Sequence, residues 1–233
     1  MTPTLDWSDI DTVLLDMDGT LIDLAFDNYF WLTLVPQTLS ATRGISAQAA
    51  QALIQREYQA VAHTLEWYCF DYWSTRLGLD IQRMTLEQRE RVRIRPDTLP
   101  FLSALRASGR RTILLTNAHP HGLAMKMAQT GLASHLDLLY STHIFGYPKE
   151  DQRLWQAVQQ RCAFDPNRTL FVDDAEPILD AARQFGIRYC LGVSNPDSGK
   201  AEKHFTRHTA LNDYRNLLPA IAADRGGQER RVG

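Results

Sequence analysis

The sequence predicts an α/β protein built on a parallel sheet with helices packed on both faces. Two observations carry this. From Leu99 onward, short continuous apolar runs alternate with amphipathic stretches, the spacing of repeated β-α units. Three apolar runs end abruptly in polar residues, Asp16/Asp18, Thr116/Asn117 and Asp173/Asp174. Buried parallel strands do this at their carboxyl ends, where open α/β sheets bind ligands.

The elements follow in order. Val13-Leu14-Leu15 is a buried strand, and Gly19 permits a turn just after its carboxylates. Residues 24–39 are rich in aromatics, and Pro36 breaks or kinks whatever helix forms there. Ser46 is placed as the N-cap of one long helical stretch to about Leu77, stopped by Gly78. Val61, Leu65, Tyr68 and Tyr72 make one apolar face of it; Trp67, Phe70 and Trp73 make a second. A helix apolar on two faces touches two things, here a helical core and a cleft. Residues 83–95 are dense in charge and read as a solvated face, and Pro96 and Pro100 mark a boundary. Beyond it the pattern predicts helices over 101–108, 122–130, 151–162 and 178–185. Strands are expected over 112–115, 136–141, 170–172 and 189–193. The Gly/Arg-rich stretch 224–233 reads as a disordered tail.

Composition narrows the function. The 233 residues can bury a sizeable core, as one domain with an insertion or as two small domains. A net charge of -2 advertises neither nucleic-acid nor membrane binding, and no obligate protein partner is evident. Residues 1–10 lack a secretory pattern, and no apolar stretch reaches membrane-spanning length. Cys69, Cys162 and Cys190 form no CxxC pair, so a reducing, cytoplasmic location is the simplest account.

Asp16 and Asp18 repel one another unless a positive charge lies between them. Asp173 and Asp174 lie on the same sheet edge, and Lys149 adds an amine from 146–151. Acids for a hard cation, with Lys149, Thr116 and Asn117 for phosphoryl oxygens, are what a phosphate ester and Mg²⁺ need together.

At this point the chain resembles the haloacid dehalogenase-like (HAD) hydrolase superfamily. Asp-x-Asp-Gly-Thr-Leu at 16–21, the strand ending at Thr116, Lys149, and the strand ending in Asp173-Asp174 match its four motifs in order. The resemblance implies a Rossmann-like parallel sheet core over 1–23 and 96–223, with an inserted α-helical cap over 24–95. It implies that Asp16 is the nucleophile and Asp18 the general acid/base. Asp16, Asp173, Asp174 and the Asp18 backbone carbonyl would hold Mg²⁺. Ile178 departs from the superfamily, which often has Asn or Asp there, so one supporting partner of the metal site is unassigned. Asp18 argues against a true dehalogenase, because halide release needs neither a proton for an alcohol nor Mg²⁺.

Within the superfamily, 16–31, 116–121, 142–151 and 195–199 are similar to bacterial nucleotidases acting on GMP and IMP. This implies a purine nucleoside 5′-monophosphate substrate. Asp27, Tyr29, Trp31, Trp67, Phe70 and Trp73 are the candidate specificity residues, although aromatics here also serve as cap core. A sugar-phosphate phosphatase, a phosphomutase, or a receiver-like phospho-switch are the alternatives; in a receiver the acidic pair comes first, the reverse of the order here. His119-Pro120-His121 is read as a loop beside the phosphate, since no Cys or acid neighbours it in the chain. Asp23, Glu176 and Asp180 are read as capping or surface acids.

Overall fold

The computed structural model describes residues 5–228. In chain order the elements are β1 (Thr12–Leu15), α1 (Ala25–Tyr29), α2 (Val35–Arg43), α3 (Ala47–Ala60), α4 (Phe70–Leu77) and α5 (Ile81–Glu87). There follow α6 (Thr98–Ala107), β2 (Arg111–Thr116), α7 (Pro120–Thr130), β3 (Leu138–Ser141) and α8 (Gln152–Cys162). The chain continues with β4 (Thr169–Asp173), α9 (Glu176–Phe185), β5 (Tyr189–Val193), β6 (Ala210–Leu211) and α10 (Leu218–Gln228).

The strands form one sheet in the order β3-β2-β1-β4-β5-β6, with every pairing parallel. β1 is central, and the chain leaves it towards opposite edges, so the crevice above its carboxyl end is the switch point. The side-chain period of two divides the core. Val13, Leu15, Leu114 and Val172 join the cluster under α6, α7 and α10; Leu14, Ile113, Leu115 and Phe171 join that under α8 and α9. Each fully buried large apolar side chain contributes about 1.5–3 kcal/mol.

The helices of segment 24–95 gather around a third cluster that includes Phe30, Leu39, Ile54, Trp73 and Ile81. Two short connections tie this segment to the sheet. Asp23 N–H donates to Arg93 O (2.9 Å), and Arg95 N–H donates to Leu21 O (3.1 Å). Arg95 is the exception in the charge run: it is buried, and its guanidinium donates to Asn195 Oδ1 (3.0 Å) and Asp97 Oδ2 (3.2 Å). No helix among the described residues is long and apolar enough to cross a membrane.

Three expectations need correction. Pro36 does not break the helix, because a π-helical turn at Phe30–Leu34 lies between α1 and α2 and Pro36 falls in the first turn of α2. The helix capped by Ser46 does not run to Leu77. It ends at Ala60, His63 takes a left-handed conformation (φ 65°), and Leu65–Tyr68 form a 3₁₀ turn before α4. One local and one long-range bond hold that break: Trp73 Nε1 donates to Trp67 O (2.8 Å), and Tyr68 Oη donates to Glu150 Oε1 (3.2 Å). Finally, 224–228 continue α10, with Asp224 held by the buried Arg110 guanidinium. The rest of the expected tail, 229–233, lies outside the described residues.

Candidate active site

Asp16 follows β1 directly, and its N–H donates to Val172 O (3.0 Å). The ladder therefore places it beside the end of β4, and its side chain is buried. Asp173 accepts the Ala175 N–H at Oδ1 (2.9 Å), which aims Oδ2 into the crevice. Oxygens of Asp16, Asp173 and Asp174 all lie within 4.8 Å of one another. Three carboxylates this close call for positive charge, and an all-oxygen set suits a hard divalent cation.

Part of that charge comes from Lys149, which is 1% exposed. Its Nζ donates to Asp16 Oδ1 (2.5 Å) and Asp173 Oδ2 (2.7 Å). Burial opposes its charge, but the two carboxylates overcome that and hold its pKa up. Its backbone is clamped at both ends: its N–H donates to Asn117 Oδ1 (2.9 Å), and its carbonyl accepts from Trp155 Nε1 (2.9 Å). The Asn117 side chain is thus occupied; it also accepts from Thr142 Oγ1 (3.0 Å) and donates to Glu150 Oε2 (3.1 Å). Thr116 is buried at the end of β2 and lines the same crevice, accepting the Ala118 N–H at Oγ1 (3.0 Å).

Asp18 has a different partner, which the sequence reading missed. Lys126 of α7 is 2% exposed, and its Nζ donates to Asp18 Oδ1 (2.7 Å) and Asp27 Oδ1 (2.7 Å). Burial, reinforced by the Asp27 charge, pushes the Asp18 pKa up to about 7 against the pull of Lys126. A lysine on an otherwise apolar stretch was the available signal. Ile178 offers Asp174 no polar partner; Asp174 Oδ2 instead accepts from Lys203 Nζ (2.6 Å). Burial raises Asp174, and Lys203 opposes the rise. Gly19 shows why this turn needs glycine. Its φ is +85°, and a Cβ there would meet Asp174 Cγ at 2.8 Å and Pro196 Cβ at 2.9 Å.

Above the carboxylates lies a cleft of about 300 Å³ reaching into segment 24–95. Of the candidate specificity residues, Asp27, Trp31, Trp67, Phe70 and Trp73 line it. Trp73 is fully buried. Tyr29 does not line the cleft, because it lies under Arg91, 4.2 Å from ring centroid to guanidinium carbon. Tyr58, within α3, and Tyr68, in the 3₁₀ turn after it, also line the cleft and were not among the candidates. Asp23 caps locally as expected, accepting the Ala25 N–H (2.9 Å). Glu176 accepts the Thr206 and Arg207 N–H groups (2.8 and 2.7 Å), and Asp180 pairs with Arg207 (2.9 Å).

His119 departs from its expected setting. Cys69 and His143, both remote in sequence, offer ligand atoms within 4.8 Å of it, and His121 is not in that group. Chain neighbours could not show this.

A parallel α/β sheet with a carboxylate cluster and a buried lysine at its switch point is the arrangement of a phosphoryl-handling α/β protein. The chain belongs to the haloacid dehalogenase-like hydrolase family, whose model matches residues 10–186. It is 64% identical to GMP/IMP nucleotidase YrfG of Escherichia coli (strain K12), over 92% of this chain and 97% of that protein. It is 28% identical to enolase-phosphatase E1 of Gluconacetobacter diazotrophicus, over 91% of this chain and 97% of that protein. Its fold matches a HAD phosphatase crystal structure from Thermococcus onnurineus with a TM-score of 0.77 at 20% identity, covering 93% of this chain and 100% of that one.

Proposed function

We propose that this chain is a Mg²⁺-dependent 5′-nucleotidase that hydrolyses the purine nucleoside monophosphates GMP and IMP through an aspartyl-phosphate on Asp16. The near full-length identity with the E. coli GMP/IMP nucleotidase is the observation that carries the substrate. The aromatic wall of the cleft supports it, because stacking a base on such side chains contributes about 1–3 kcal/mol.

An Asp16 oxygen attacks phosphorus, and the bond from phosphorus to the nucleoside 5′ oxygen breaks. Asp18 gives its proton to that departing oxygen, a role its raised pKa suits. Asp18 then takes a proton from the water that attacks the aspartyl-phosphate, which releases phosphate and regenerates Asp16. Lys149, the Thr116 hydroxyl and the Asn117 backbone N–H bind phosphoryl oxygens; the Asn117 side chain instead holds Lys149 in place. Asp16, Asp173, Asp174 and the Asp18 carbonyl would hold Mg²⁺, which supplies positive charge against the acids and the phosphoryl group. Segment 24–95 acts as a lid over a core formed by 1–23 and 96–223, excluding water and selecting the leaving nucleoside. A reducing, cytoplasmic location fits three free cysteines.

A phosphate-release panel with Mg²⁺ tests the reading. GMP and IMP are expected to give higher kcat/KM than pyrimidine mononucleotides and sugar phosphates. Equal or better turnover of a sugar phosphate would remove the nucleotidase and leave a phosphatase.

A further inference from the structure

We propose that Cys69, His119 and His143 form a binding site for a borderline-soft divalent cation, Zn²⁺ foremost, that joins the helical segment to the sheet beside the cleft. Their ligand atoms lie within 4.8 Å of one another, although they come from three separate parts of the chain. Cys69 directly precedes α4, His119 caps α7, and His143 follows β3. His119 Nδ1 accepts only a long bond from the His121 N–H (3.4 Å), and ligation through Nε2 takes the tautomer with the proton on Nδ1, which gives that bond up. The Phe70 ring stacks on the His119 imidazole (4.9 Å, 20°) and fixes its plane. His143 Nε2 is a buried nitrogen with no hydrogen-bond partner, an arrangement that costs free energy unless something occupies it.

The donor set decides the cation. One thiolate and two imidazoles suit Zn²⁺ and are poor ligands for Mg²⁺, whereas Asp16, Asp173 and Asp174 offer oxygen alone. Burial lowers the pKa of both histidines, towards the neutral form that binds metal. Tetrahedral zinc with bonds of about 2.0–2.3 Å sets its ligand atoms roughly 3.5 Å apart, so side chains within 4.8 Å of one another reach it by drawing in by about an ångström at most. The fourth position falls to water or to Asp71, whose Oδ2 is 3.6 Å from His119 Nε2 on a side chain free to swing. On binding, the Cys69 thiol releases its proton to solvent, the His119 Nε2 proton passes through solvent to Nδ1, and the bond from the His121 N–H is lost. Because Cys69 and Asp71 belong to the helical segment and the histidines to the sheet side, a bound ion ties the lid shut and slows product release. That consequence rests on the lid reading; the site itself does not.

The full chain, saturated with Mg²⁺, is titrated with Co²⁺ and then with Zn²⁺. One equivalent of Co²⁺ is expected to give a thiolate-to-cobalt charge-transfer band, which Zn²⁺ abolishes. The carboxylate cluster cannot produce that band. Cys69→Ser should lose it, Cys190→Ser should keep it, and His143→Asn should weaken Zn²⁺ binding on the order of 10–100-fold. Metal-free melting curves confirm that each variant folds; His143→Gln stands in should His143→Asn fail. A missing band, a band that survives Cys69→Ser, or unchanged Zn²⁺ affinity in His143→Asn overturns the site. Zn²⁺ should also slow phosphate release by the unsubstituted chain and not by Cys69→Ser. Equal slowing of both overturns the tie across the lid.

Discussion

Lys126 Nζ donates to Asp18 Oδ1 at 2.7 Å across 108 residues of chain. The same ammonium holds Asp27, at the start of the aromatic segment, so one buried cation links the loop after β1 to the helical segment. Lys126→Met is expected to lower kcat by about 10²-fold with a smaller change in KM, because Asp18 loses its orientation and its charge balance. Without the lysine the Asp18 pKa rises further, which favours protonating the leaving oxygen and disfavours activating water. Rapid mixing should therefore show a burst of nucleoside followed by slow turnover. Kinetics within twofold of the unsubstituted chain would contradict this.

Asp16→Asn should lower turnover by roughly 10⁴-fold or more, since an amide does not attack phosphorus. Phosphate release from the purified variant is the measurement, and retention of most of the rate would sink the mechanism.

EDTA should inactivate the protein, and Mg²⁺ should restore it. Gly19→Ala should weaken that rescue and destabilise the fold by about 1–3 kcal/mol, because a Cβ at φ +85° runs into the Asp174 carboxylate. Mg²⁺ titrations of activity with thermal melts decide it; an unchanged Mg²⁺ requirement would refute the close approach.

Glu176 accepts backbone N–H groups at Thr206 and Arg207, chiefly that of Arg207, which lowers its pKa from 4.5 to about 2. A depressed carboxyl contributes stability above its unfolded pKa and loses it as pH falls through the folded value. Glu176→Gln should therefore melt below the parent at pH 7. The gap should close between about pH 4.5 and pH 2. A gap independent of pH would mean that charge is not what holds the loop.

The sheet was legible because its signals are local. Continuous apolar runs and polar strand ends each lie within a few residues. The six parallel strands observed include β6, only two residues long, which no periodicity marks. The two-faced segment 46–77 was misread as one helix for the opposite reason. Its spacing is helical throughout, and one bond that holds the break near His63 runs to Glu150, far along the chain.

By itself the sequence placed Asp16, Thr116 and Asp173 on one edge, because strand ends in a parallel sheet fall together whatever the loops do, and it marked Lys149 only through the motif it resembles. Tertiary structure alone decided their partners. It paired Lys126 with Asp18, Lys203 with Asp174, and the Asn117 side chain with Lys149. It turned Tyr29 away from the cleft and brought Cys69 and His143 to His119. Those relationships depend on how helices pack across the sheet. A buried charge takes whichever counter-charge the packing brings within reach, and chain spacing carries no record of that.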